Sequence, residues 1–241
     1  MAVVSPDMLL VSNWSNKCVQ LLDCVKGEVV SEVKLQDRPY RICLTDRNTA
    51  TVDIVGKKIQ MIKVQDKTLT KGRELTVSKI MHGLTSNRNT LLVSYHNQPW
   101  LEEISMDGNV LHQFDKSGKS QHFKSPEFMC TTPGGSVFVS DHGTNTITKV
   151  DEQLNILQTC TSLLLDGPCG ITAVTENQIL VCSFRNHSIL LLQPFTNTVS
   201  TLLGEDDGIE NPYSLTYCPD QKKVYVAPTG QIGTIKVYQM S

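Results

Sequence analysis

Two stretches of this 241-residue chain, SPEFMCTTPGGSVFVSDHGTNTITKV (125–150) and GPCGITAVTENQILVCSFRNHSILLL (167–192), align without a gap at an offset of 42. Pro126 falls on Pro168, Val139 on Val181 and Ile147 on Ile189. TLLVSYHNQPWLEEI (90–104) fits the first at an offset of 46, and VVSPDMLLVSNWSNKCVQLL (3–22) fits the second at 170, with Val11 on Val181. Two further copies, from Arg38 and from Asn211, need small gaps. A repeat of this period constrains the fold more than any other feature, because each copy must be one structural unit that buries its faces against its neighbours.

Within each copy a strand follows a proline (PYRICL, PEFMCT, PCGITAV, PYSLTY), and a turn of Asp, Asn, Gly or Pro leads to a β-branched run such as VFVSD or ILVCSF. A polar loop, a third run and a fourth complete it. Short apolar runs between regular turn signals predict an all-β array. The middle runs are apolar on successive residues, as a sheet covered on both faces requires. A two-layer sandwich would leave one polar face per strand, whereas four-stranded sheets stacked around an axis would not. The expected fold is a six-bladed β-propeller of antiparallel four-stranded blades forming one domain over 1–241, with blades near 1–36, 37–78, 79–118, 124–162, 166–204 and 210–241. The first copy starts inside its first strand and the last stops after its third. The sixth blade is therefore expected either to have three strands or to take its fourth from upstream of Met1.

VFVSDHGTNTITKVDEQLNIL (137–157) resembles an NHL repeat: a hydrophobic strand ending in Asp, a short loop, then an Ile-centred strand. The Asp stands as Asp141; at the matching positions are Asn13, Tyr95 and Ser183. The resemblance extends over most of the chain. It implies a propeller similar to the C-terminal domains of tripartite-motif ubiquitin ligases, with any ligase activity in an upstream RING region, and a role in binding proteins, ubiquitination substrates or RNA.

Composition narrows the choice. Twenty-two Lys and Arg against 24 Asp and Glu give a formal charge of −2, so bulk charge does not hold nucleic acid and a local patch must. The eight cysteines include no C-x-x-C pair and sit mostly in apolar runs, which reads as buried thiols of a cytoplasmic protein and not as a disulfide framework or zinc site. There is no membrane-length apolar run and no basic, apolar leader at the start.

In a propeller, the loops before the first strand and between the second and third strands share one rim. That rim receives Trp14, Lys17, Arg38, Tyr40, Lys57, Lys58, His82, His96, Trp100, Phe123, Lys124, Phe128, His142, Arg185, His187 and Tyr213, a His-rich, aromatic and basic crescent over blades 1 to 4. Asp166, Asp206, Asp207 and Glu210 make the last third acidic. Exposed Trp, Tyr and Arg are interface anchors, and aromatics among cations also stack RNA bases. The plainer alternative is that Trp14 and Trp100 fill gaps between blades and that Lys57 and Lys58 form a solvated turn beside Gly56. No metal or other cofactor is expected: the histidines lack ligand spacing, and the first-strand starts Tyr40, His82, Glu127, Cys169 and Tyr213 bring only one carboxylate. With no G-x-S-x-G and no phosphate-cradling glycine loop, a lyase or lactonase-type propeller enzyme is the lesser reading. The leading expectation is a non-catalytic module that binds protein partners, with RNA as the alternative.

Overall fold

Successive residues of a middle strand point to opposite faces, so Leu9 and Leu10, or Leu91 and Leu92, can both be buried only if both faces of their sheet are covered. In the computed structural model, which describes residues 1–95, 100–114, 122–229 and 234–240, that requirement is met by six antiparallel sheets stacked around an axis. Blade 1 is β1 to β4 (Ala2–Ser5, Met8–Asn13, Cys18–Asp23, Glu28–Lys34), and blade 2 is β5 to β8 (Pro39–Asp46, Thr49–Ile54, Lys58–Gln65, Thr68–Thr76). Blade 3 is β9 to β12 (Met81–Asn87, Thr90–Tyr95, Leu101–Ser105, Val110–Gln113), and blade 4 is β13 to β16 (Pro126–Thr131, Val137–Asp141, Thr146–Val150, Ile156–Thr161). Blade 5 is β17 to β20 (Pro168–Thr175, Gln178–Ser183, Ser188–Gln193, Thr198–Leu203), and blade 6 is β21 to β23 (Pro212–Cys218, Lys223–Pro228, Lys236–Gln239). The only helical element among the described residues is a single 3-10 turn, Glu205–Asp207.

The core lies between the blades. Leu10, Val19, Val52 and Ile62 join blades 1 and 2; Ile59, Leu75 and Leu91 join 2 and 3; Leu92, Leu101 and Val139 join 3 and 4. Phe138, Val181 and Val224 belong to one cluster running through blades 4, 5 and 6. Leu9, Cys218 and Tyr225 close the ring between 6 and 1. Leu9 and Leu10 thus serve different junctions, as do Leu91 and Leu92. All eight cysteines are free thiols, six of them buried.

Blade 6 has three strands among the described residues. Strand register matches Val237 with Leu21 of blade 1 and Met61 of blade 2. Those two are 1% and 7% exposed under their fourth strands, and Val237 is 51% exposed.

In blades 2, 4 and 5, residues at the ends of the second strands fix the geometry of the neighbouring loops. Asp141 is fully buried and accepts backbone N–H groups from Lys124 (2.6 Å), Ser125 (2.9 Å), Gly143 (2.8 Å) and Thr144 (3.1 Å). It thereby ties the loop ahead of β13 to the loop after β14. In blade 5 the Ser183 hydroxyl does part of this work, accepting from Asp166 N at 3.0 Å. In blade 2 the task moves one residue earlier, to Asp53, which accepts from the backbone N–H groups of Tyr40 and Arg41.

Candidate recognition face

The two loop sets expected on one rim do meet there. Lys17 pairs with Asp37 at 3.3 Å, Val77 N donates to Lys57 O, the Lys79 ammonium lies 3.4 Å from the Trp100 ring centroid, and Asn211 N donates to His187 Nδ1 at 3.0 Å.

At the blade 1–2 junction, Trp14 and Tyr40 form an edge-to-face pair with centroids 4.4 Å apart. Both remain open to solvent, 37% and 40% exposed. The Arg38 guanidinium lies over the indole at 5.2 Å, and Ser12 Oγ donates to the carbonyl of Tyr40 at 2.8 Å. The ring pair, the Arg38 stacking and the Ser12 hydrogen bond hold these exposed side chains in one arrangement.

The aromatic path continues inward. The Arg41 guanidinium lies 5.5 Å from the Tyr40 ring, 5.3 Å from Tyr213 and 3.5 Å from Phe128. Its Nη2 meets Glu127 Oε1 at 2.8 Å and the Tyr213 hydroxyl at 3.3 Å. Tyr213 donates in turn to Glu127, and His82 Nε2 stands 3.7 Å from the same carboxylate oxygen. Blades 2, 4 and 6 are therefore braced across the axis by one buried network, with blade 3 at its edge. Burial, reinforced by the Glu127 carboxylate against the opposing pull of Arg41, pushes the Tyr213 phenol up to about 12. Burial also pushes the Asp53 carboxyl up to about 6, even though Arg41 and two backbone N–H groups oppose the shift.

Beyond this brace the first strands of all six blades line an axial channel of about 480 Å³, walled by residues such as Val3, Cys43, Thr85, Cys130, Thr172 and Thr216. The strands approach closely at the braced end. A Cβ on Gly83 would lie 2.7 Å from the Glu127 carbonyl oxygen, and one on Gly170 would lie 2.8 Å from Ser214 Cα.

Several expected surface residues are placed otherwise. Phe123 is a correction: it is 2% exposed, with the Phe114 and His122 rings each 5.1 Å away, and belongs to the blade 3–4 core. Phe128 is buried under Arg41 and offers no outer surface. Trp100 is half-buried beneath Lys79, and His187 holds the backbone ahead of β21. His142 is half-buried, with Arg185 Nη2 3.3 Å away, and Arg185 pairs with Asp166 at 3.0 Å. Lys58 pairs with Glu74 at 2.7 Å. Lys57 and Lys124 are exposed. His96 lies outside the described residues. No set of three or more His, Cys, Asp or Glu gathers as a metal site among the described residues, and no helix there is long and apolar enough to cross a membrane.

The sequence reading missed the brace. The repeat aligns Tyr40, His82, Glu127, Cys169 and Tyr213 at the strand starts. One residue further along the same repeat stand Arg41, Gly83, Phe128, Gly170 and Ser214. That column was the available signal: one arginine and two glycines where strands converge.

No protein-family model matches the chain, and no curated protein matches it either. Solved structures do. Hydrazine synthase of Kuenenia stuttgartiensis superposes with a TM-score of 0.72 at 16% identity, covering 99% of this chain and 75% of that one. Virginiamycin B lyase from Staphylococcus aureus gives 0.70 at 14%, covering 99% and 83%. A β-propeller domain from Myceliophteria thermophila gives 0.70 at 11%, covering 98% and 80%. Identities this low establish a shared propeller and nothing finer.

Proposed function

We propose that this chain is a non-catalytic recognition module that captures a protein partner on the face bearing Trp14, Tyr40 and Arg38. The observation that carries this reading is the exposed Trp14–Tyr40 pair held between two arginines. Large aromatic surface, rigid before binding and rimmed by charge, is what interface hot spots are made of. The axial mouth favours a non-catalytic role, because the Arg41 Nη2, Glu127 Oε1 and Tyr213 hydroxyl groups are engaged with one another there. By its resemblance to NHL repeats, the module would serve a tripartite-motif type ubiquitin ligase as its substrate-binding propeller, in the cytoplasm. RNA is the weaker ligand, since Lys17, Lys58 and Arg185 are each paired with a carboxylate within 3.3 Å.

A photo-crosslinking side chain placed at Trp14, with a control at Arg47 on the opposite rim, tests the reading in cells. A protein captured from position 14 alone is expected, and Trp14→Ala with Tyr40→Ala should lower its affinity at least tenfold. Equal capture from both positions, or undiminished affinity, would refute it. An RNA adduct lost on Lys57→Glu, Lys58→Glu and Lys124→Glu, with binding that falls steeply with salt, would replace the protein partner by RNA.

A further inference from the structure

On the opposite rim, between blades 2 and 3, a cleft of about 700 Å³ is built around an irregularity in blade 2. Gln60 pairs with Glu74 but Ile62 pairs with Lys71, so Met61 alone faces both Gly72 and Arg73. This is a β-bulge, a device that turns side chains out of a strand's normal alternation. It has a dedicated support: the buried Gln60 amide donates to the carbonyls of Gly72 (2.9 Å), Met61 (3.0 Å) and Arg73 (3.2 Å). Gly72 lets the strands close there, since a Cβ would come within 3.3 Å of Met61 Cβ.

Four cations line the cleft, and two of them are committed. Arg73 is locked by Asp107 at 2.7 Å, by the carbonyl of Met106 and by Met61 Sδ at 3.4 Å. Arg88 pairs with Glu152 at 2.8 Å. Lys63 and Lys71 line the same space, are exposed, and have no ion pair among the described residues. The one carboxylate in the lining, Asp46, uses Oδ1 to accept from Asn48 N at 2.7 Å in its own turn. Met61 and Met106 add polarisable apolar wall. A bulge pinned from beneath thus carries Lys71 into one cleft with a second lysine, and neither is held by an ion pair among the described residues.

We propose that this cleft binds a phosphate monoester dianion, with Lys63 and Lys71 neutralising the phosphate and the Met61–Met106 wall covering the group esterified to it. Two ammonium groups match a dianion's charge, and lysine serves phosphate as a mobile point charge. The site lies on the rim opposite Trp14 and Tyr40 and is independent of the recognition face.

Calorimetric titration of the full chain with phenyl phosphate and with a short phosphoserine peptide tests this. The two probes share the phosphate ester and differ in source, and the tighter binder shows whether the natural ligand is a small molecule or a modified side chain. At least one is expected to bind saturably and at least threefold tighter than inorganic phosphate. Lys63→Gln with Lys71→Gln should weaken it at least tenfold without changing the thermal midpoint, because both side chains are exposed. Trp14→Ala with Tyr40→Ala should leave it unchanged. Absence of saturable binding by either probe in the millimolar range, or wild-type affinity in the double lysine variant, would overturn the proposal.

Discussion

Replacing Glu127 by Gln removes one charge from the cross-axial brace and leaves the other in place. The Arg41 and Glu127 side chains are 9% and 10% exposed, and their charged atoms lie 2.8 Å apart. At an effective dielectric of about 20, that separation corresponds to a gross attraction of about 6 kcal/mol. Part of this only offsets the desolvation of the two ions, and breaking a buried pair from one side costs about 3–5 kcal/mol. Gln keeps the shape and still accepts from Tyr213, so the expected loss is near the lower figure, about 3 kcal/mol. For a domain of this size that lowers the thermal midpoint by roughly 6–12 °C. Urea unfolding followed by fluorescence of Trp14 and Trp100 would measure it, within a double-mutant cycle of Arg41→Met, Glu127→Gln and the pair. The double variant should recover part of the loss, because neither member of the Arg41–Glu127 pair is then left charged without the other, while Asp53 keeps only its backbone N–H partners. A Glu127→Gln loss below about 1 kcal/mol, or a coupling energy below about 0.5 kcal/mol, would show that the brace does not hold the blades as argued.

Gly170→Ala places a methyl 2.8 Å from the Ser214 backbone and, as overpacking where strands converge, should cost about 1–3 kcal/mol by the same urea assay. Asp53 gives a pH signature. Its folded value of about 6 lies above its ordinary 3.8, so its stabilising contribution is fully present below pH 3.8 and is lost as pH rises through about 6. A shift of about two units corresponds to a change on the order of 3 kcal/mol across that window. Asp53→Asn, which still accepts from the Tyr40 and Arg41 N–H groups, should flatten stability between pH 4 and 7; an unchanged slope would refute the assignment.

The proline-led strands and the runs VFVSD and ILVCSF were enough to read six blades. Burial of consecutive residues such as Leu91 and Leu92 is a local pattern that only two-sided packing satisfies. Trp14 and Tyr40 were legible as solvent-exposed rim residues because one follows the end of β2 and the other stands at the start of β5. Phe123 was misread for the same reason: its loop lies on the rim, but its ring turns inward against Phe114 and His122. The brace was not legible, because the significance of Arg41 depends on Glu127 and Tyr213, 86 and 172 residues away.

By itself, then, the sequence determined the repeat, its strands and the rim each loop would join, because period and turn chemistry act over a few residues. Only the closed ring decided which side chains meet. Closure brings the starts of blades 2, 4 and 6 to a common axis, where a buried arginine requires a carboxylate that lies nowhere near it along the chain. The same closure sets blade 2 against blade 3, so that a bulge at Gly72 and a turn at Arg88 share one cleft.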